Sequence, residues 1–198
     1  MRRPIAIVPF LLAAALILGG LLWRAGDRVA GVGRTLESGD ASVGGPFHLI
    51  DQNGAARSPA DFRGRFMLVY FGYSYCPDVC PTTLAEIAAA LGKLGPKARR
   101  FVPIFITIDP ERDTPAVLKT YMKDFGPRFL GLTGSAKSVA EAARAYHVYI
   151  RKRPLAGGGY SMDHSGVIYL MGPDGGFVTY YEEQIGPDKL AEDLGNRV

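Results

Sequence analysis

Residues 66–94 read FMLVYFGYSYCPDVCPTTLAEIAAALGKL, and the order of their parts decides the fold. The first six form an unbroken apolar run of strand length, the pattern of a strand buried on both faces. A short loop carrying Cys76 and Cys80 follows. Pro81 then opens a stretch in which Leu84, Ile87, Leu91 and Leu94 recur at helical spacing. The unit is strand, cysteine loop, helix. A residue before proline is pushed out of helical geometry, so Cys80 is expected as the helix N-cap, with Cys76 one turn earlier.

Working outward, residues 101–108 (FVPIFITI) read as a second buried strand. A helix over 115–125 follows, with Thr114 as N-cap and Pro115 at its first position. A short strand near 129–132 and a helix from 138 to 146 complete a second unit. Upstream, residues 47–50 read as a strand leading into Asp51-Gln52-Asn53-Gly54, whose Asn-Gly pair suits a tight turn. Downstream, VIYLM (167–171) and FVTYY (177–181) flank a turn-rich connection, and a last helix starts at Pro187. Strands and helices that alternate and end in a β-hairpin and a helix predict an α/β, thioredoxin-like domain over 44–198.

The chain of 198 residues is long enough for one such domain plus an appendage. The appendage is N-terminal. Residues 5–23 carry no charge and follow Arg2 and Arg3; as a helix these 19 residues (23 − 5 + 1) reach about 28 Å at ~1.5 Å each, against a hydrocarbon core of roughly 30 Å. A transmembrane anchor over 1–23 is the reading, with a cleaved signal peptide as its rival; Trp23, Arg24 and Arg28 break the small-residue pattern that cleavage needs. Residues 24–43, rich in Gly, Ser, Arg and Asp, read as a linker. The formal charge of +4 is spread along the chain without a basic block interleaved with aromatics, which argues against nucleic acid as a partner.

Cys76 and Cys80 are the only cysteines in the chain. At the positive end of a helix, backbone N–H groups and the dipole favour thiolate over a free thiol of pKa about 8.5. Two thiolates on one short loop can hold a soft metal such as Cu(I), exchange electrons as a disulfide, or do both. A purely structural bridge would close too little chain to stabilise much. The spacing Cys-Pro-Asp-Val-Cys has one residue more than the Cys-x-x-Cys of thioredoxin-type oxidoreductases, which disfavours that activity without excluding it. A peroxidase would need a threonine before its cysteine, but Thr82 and Thr83 lie after Cys80. Of the three histidines, His48 and His147 sit in apolar strand-like runs and read as packed or edge residues. His164 stands where the glycines at 157–159 lead into VIYLM, from where the sheet end can bring it toward the cysteines.

Three stretches, GYSYCPDVCPTTL, TIDPERDTP and DHSGVIYLMGPDG, resemble the signature stretches of the Sco/SenC family, in the family's order from about Gly44 onward. That family comprises copper chaperones of cytochrome c oxidase assembly. The resemblance implies copper as the metal, with Cys76 and Cys80 as thiolate ligands and His164 as the third. Asp163 or Asp78 is then a candidate to orient the imidazole, and Tyr73 and Tyr75 to shape the apolar surround. It also implies copper delivery to the dinuclear copper centre in the copper-binding subunit of cytochrome c oxidase, with other periplasmic copper chaperones as further partners. The soluble domain is then expected on the periplasmic side of a bacterial inner membrane. A thiol-disulfide reductase that keeps the acceptor's cysteines reduced is the alternative, with Cys76 and Cys80 as its redox pair. For TIDPERDTP the reading is turn and cap duty for Asp113 and Thr114, and the resemblance adds a rim where partners dock.

Overall fold

The computed structural model describes residues 43–198. The proposed anchor over 1–23 and all but the last residue of the linker lie outside the described residues. Among the described residues no helix is long and apolar enough to cross a membrane.

The stretch that opened the sequence reading forms the centre. Strand β3 (Phe66–Gly72) pairs in parallel with β4 (Phe101–Thr107), from Phe66 opposite Phe101 to Gly72 opposite Thr107. Every residue of β4 and all but the first of β3 are buried, as an interior parallel pair demands. Strand β5 (Leu130–Thr133) continues the sheet in parallel beside β4. Beyond it β1 (Leu49–Asp51) and β2 (Ala56–Arg57) form an antiparallel edge, joined by the Asn53-Gly54 turn with Gly54 at φ 82°. On the other side of β3 lies the antiparallel hairpin of β8 (Val167–Met171) and β9 (Phe177–Glu182). The order is β2-β1-β5-β4-β3-β8-β9.

Successive side chains of β3 alternate between faces and so sort the helices. Tyr70 points to α1 (Val79–Lys93), where its hydroxyl lies 3.8 Å from the Cys80 sulfur. Phe105, opposite Tyr70, meets Tyr121 of α2 (Pro115–Met122) edge-to-face on the same face. Phe71 points the other way, to Tyr146 at the end of α3 (Ala136–Ala145), with ring centroids 5.3 Å apart. The last helix, α4 (Pro187–Gly195), packs against α1. Leu68, Leu84, Ile87, Leu170 and Leu190 are fully buried between these layers, each contributing roughly 2 kcal/mol by burial.

Three elements depart from the sequence reading. Helix α1 begins at Val79 with Asp78 as N-cap, so Cys80 is its second residue and Pro81 its third. The first turn of a helix has no use for its N–H groups, and proline there is tolerated despite its bias on Cys80. The second helix stops at Met122 and tightens into a 3₁₀ turn over Lys123–Phe125. A ribbon of β6 (Ile150–Pro154) and β7 (Tyr160–His164), absent from the sequence reading, stands apart as its own two-stranded sheet.

Candidate metal centre

Strand β3 ends at Gly72 and releases the cysteine loop into the start of α1. A Cβ on Gly72 would lie 2.9 Å from the Cys80 sulfur and 2.9 Å from the Phe105 ring. Only a glycine lets the thiol sit against the strand. Cys80 is fully buried and Cys76 half-buried, and neither is in a disulfide. The Cys80 amide donates to the Cys76 sulfur at 3.4 Å. Asp78, although in the cap position, makes no side-chain cap bond. The Cys76 sulfur serves the helix N-terminus in its place. Its pKa is lowered to about 5, chiefly because the Cys80 thiol donates to it and then because the amides of residues 78 to 80 face it, against the opposing effect of burial. Cys80 is pushed up by the negative Cys76 sulfur it faces and by burial. The pair therefore holds one thiolate, at Cys76, and one thiol.

His164 is the last residue of β7, and its Nε2 lies 3.6 Å from the Cys80 sulfur. Its Nδ1 is 3.0 Å from the Ser165 carbonyl oxygen. A carbonyl can only accept, so Nδ1 carries a proton, and Nε2 is the ring nitrogen that faces the sulfur. The orienting partner is thus a backbone carbonyl and not a carboxylate. Asp163 faces Arg153 at 3.4 Å on the ribbon's other side, and Asp78 caps the helix only through its backbone, Thr82 N–H reaching its carbonyl at 3.2 Å. The rings of Tyr70 and Tyr73 stand edge-on to the imidazole, at 6.0 and 6.4 Å. The Tyr70 hydroxyl, raised by burial and then by the Cys80 sulfur, also donates to Glu183 at 3.3 Å. The two other histidines are elsewhere. His48 is exposed, and His147, also exposed and at φ 55°, lies in the turn after α3 and not in a strand as a packed or edge residue.

The segment TIDPERDTP does more than turn and cap. Thr114 caps α2, its hydroxyl accepting from the Val117 amide at 3.3 Å, as the sequence predicts. Asp113 is fully buried. It accepts from the Ser74 amide at 3.0 Å, the Ser74 hydroxyl and the Thr107 hydroxyl at 2.6 Å, tying the cysteine loop to the end of β4. Burial raises its pKa, and these three donors oppose that effect. The Arg112 guanidinium bonds to Asp109, whose side chain is buried, and lies over the rings of Tyr160, Tyr75 and Tyr73. Neither Gly72, Tyr70, Asp113 nor Arg112 was singled out by the sequence for these contacts. The Tyr-Phe-Gly that precedes the loop, a glycine ending a buried strand, is the one signal that pointed to close approach.

Cys80 and His164 are thus in contact, with Cys76 at the same helix end. Among the described residues no three His, Cys, Asp or Glu side chains are drawn into a ready-made metal cluster. The donors match a soft metal: two sulfurs, one already a thiolate, and an imidazole nitrogen facing the other at 3.6 Å. Cys80 lies between the other two, its amide on the Cys76 sulfur and its own sulfur facing His164.

A parallel-centred α/β sheet with two cysteines at the first helix and a histidine brought to them from the far side defines a thioredoxin-like dithiol domain. The chain belongs to the SCO1/SenC family, whose model matches residues 36–198. It is 44% identical over 169 residues to the mitochondrial SCO2 homolog of Homo sapiens, a match covering 83% of this chain and 62% of that protein. The chain therefore spans less than two thirds of that relative's length. Among solved structures, Bradyrhizobium japonicum ScoI with copper bound is 44% identical with a TM-score of 0.74, covering 79% of this chain and 100% of that one. BsSco, described as a member of the Sco family of cytochrome c oxidase assembly proteins with a disulfide switch, is 26% identical with a TM-score of 0.62, covering 77% and 92%.

Proposed function

We propose that this protein is a copper metallochaperone that binds copper through Cys76, Cys80 and His164 and delivers it to the dinuclear copper centre of cytochrome c oxidase. The observation that carries the reading is the approach of the His164 Nε2 to the Cys80 sulfur at 3.6 Å across 84 residues of chain. A simple dithiol has no use for that imidazole. Two thiolates and one imidazole suit trigonal Cu(I). The copper-bound ScoI structure, 44% identical, supports the same cargo, and the family's tie to oxidase assembly supports the acceptor.

The chain's own groups supply the steps. Cys76 is the entry ligand, half-exposed and already a thiolate near neutral pH. Cys80, buried behind it, gives up its proton when a cation replaces that proton between Cys76 and His164. The Ser165 carbonyl engages Nδ1, which leaves Nε2 as the ring nitrogen offered to copper. Release to an acceptor proceeds by ligand exchange beginning at Cys76, the donor nearest solvent. The apolar residues 5–23 support an anchor in a bacterial inner membrane, with this domain on the periplasmic side, where the oxidase copper-binding subunit and other copper chaperones are met.

Anaerobic Cu(I) titration of the chain in competition with a chromophoric chelator tests the site. His164→Ala is expected to weaken binding at least tenfold and to remove the nitrogen ligand from the X-ray absorption spectrum. Unchanged affinity and coordination would refute the three-ligand site. Incubation of the loaded protein with the copper-free oxidase subunit tests delivery.

The thiol-disulfide reductase reading is favoured by one observation, the low pKa of Cys76 beside an unpaired Cys80. An attacking thiolate with a resolving thiol behind it is the arrangement such exchange needs. His164→Ala would leave this activity intact, and failure to reduce any oxidised acceptor would exclude it.

A further inference from the structure

The β6–β7 ribbon carries His164 but shares no ladder with the seven-stranded sheet. Its β6 strand is exposed over four of five residues. An isolated two-stranded ribbon is marginal in water, so something beyond its own ladder must fix it over the cysteines.

Besides the Cys80–His164 contact and a bond between the Tyr73 hydroxyl and the Met162 backbone, a set of side-chain hydrogen bonds from the ribbon to the rest of the domain converges on residues 109–112. Arg112 Nη1 donates to the Tyr160 carbonyl at 3.1 Å. The Tyr160 hydroxyl donates to Asp109 at 2.9 Å, and Lys152 reaches Glu111 at 2.7 Å. The guanidinium also lies over three rings at once. Its carbon is 3.8 Å from the centroid of Tyr160, on the ribbon, and 4.8 and 5.6 Å from those of Tyr75 and Tyr73, on the cysteine loop. Its Nη2 is buried without a hydrogen-bond partner, and the tyrosine faces around it are what is left to receive its protons. Tyr73 closes the path, since its ring is also edge-on to the His164 imidazole at 6.4 Å.

We propose that Arg112 is a positioning residue for His164, clasping the ribbon and Tyr73 together so that the imidazole is held at the Cys80 sulfur before any metal arrives. The proposal rests on the reading of His164 as a ligand. Asp109 orients the clasp by accepting from Arg112 Nε and from Tyr160. Planarity is essential, because one group must bond a carbonyl and a carboxylate at its edge while stacking on rings with its faces. A lysine keeps the charge and loses the fork.

The test uses the copper-free full chain and the variants Arg112→Ala, Arg112→Lys, His164→Ala and Arg112→Ala/His164→Ala. Amide hydrogen exchange is read for the β6–β7 ladder and for the β3–β4 ladder as the internal reference. Arg112→Ala is expected to speed exchange in β6–β7 at least tenfold while β3–β4 stays within a factor of two, with Arg112→Lys giving most of the same effect. In Cu(I) competition, Arg112→Ala is expected to weaken binding, and the double variant to bind no more weakly than His164→Ala alone, within a factor of two. A merely structural role would make the two losses multiply. Unchanged exchange in the ribbon, or multiplied losses, overturns the proposal. If the wild type and His164→Ala bind copper equally, the ligand reading fails by itself, and the exchange ratio alone still decides whether Arg112 holds the ribbon.

Discussion

Replacing Gly72 by alanine tests how closely the metal site depends on the packing beneath it. The added methyl would lie 2.9 Å from the Cys80 sulfur, 2.9 Å from Phe105 and 3.3 Å from Tyr70. Carbon contacts are comfortable at about 3.5–4.0 Å, so sulfur and ring must each retreat by roughly 0.6 Å or more. Cys80 and Phe105 are both fully buried, with nowhere open to move. Overpacking of this kind costs about 1–3 kcal/mol. Gly72 has no left-handed φ, so alanine adds no backbone strain and restricts the unfolded chain, an opposing gain of ~0.4–1 kcal/mol. The net expectation is a loss of about 1.3 kcal/mol. With a urea m-value of about 2 kcal/mol per M, the midpoint falls by about 0.65 M. Gly157→Ala is the control, since its methyl would meet nothing within 4 Å and its φ is not left-handed. The displaced sulfur should also leave His164, so Cu(I) affinity should drop in the same variant. A midpoint within 0.2 M of wild type, an arbitrary limit of roughly 0.4 kcal/mol on the same m-value, with unchanged copper affinity, would refute the argument that Gly72 makes room for the thiol.

Alkylation of the copper-free protein should be confined to Cys76 and have a rate nearly flat from pH 6.5 to 8, because a thiol with a pKa of about 5 is already ionised there. Mass-spectrometric kinetics that climb tenfold per pH unit across that range would contradict it. Asp113→Ala strips a buried acceptor from the Ser74 amide, the Ser74 hydroxyl and the Thr107 hydroxyl, and should cost about 2–3 kcal/mol in urea unfolding; a loss under ~0.5 kcal/mol would mean that water replaces it. Asp51 is buried, which raises its pKa, but the Asn53 and Ala55 amides and Arg57 outweigh this and hold it below its ordinary 3.8. A depressed folded value means its contribution is full above about pH 4 and fades as the carboxylate protonates below that. The stability gap between wild type and Asp51→Ala should therefore be largest near neutrality and narrow below pH 3, and a gap independent of pH would count against the ion pair.

Most of the sheet was legible in one chain because buried strands and amphipathic helices write their periodicity into the sequence locally. The runs 66–71 and 101–108, the Thr114 cap and the Pro187 helix start all stand within a residue or two of where the pattern put them. The ribbon escaped, since IRKRP is polar and mostly exposed, YSMDH is half-buried throughout, and neither shows the alternation that a core would impose. The helix start escaped because the sulfur of Cys76, not a conventional cap residue, meets the amides there. The sequence by itself determined a strand, a thiol pair and a helix, since each depends on neighbours along the chain, and the resemblance of three short stretches pointed to His164. Only the tertiary structure decided which ring nitrogen His164 presents, which cysteine holds the charge, and that Gly72, Asp113 and Arg112 frame the site. The long-range contacts that assemble the site, Ser74 with Asp113, Cys80 with His164 and Tyr70 with Glu183, join residues 39, 84 and 113 positions apart, fixed by how the sheet brings its strand ends together and written in no local pattern.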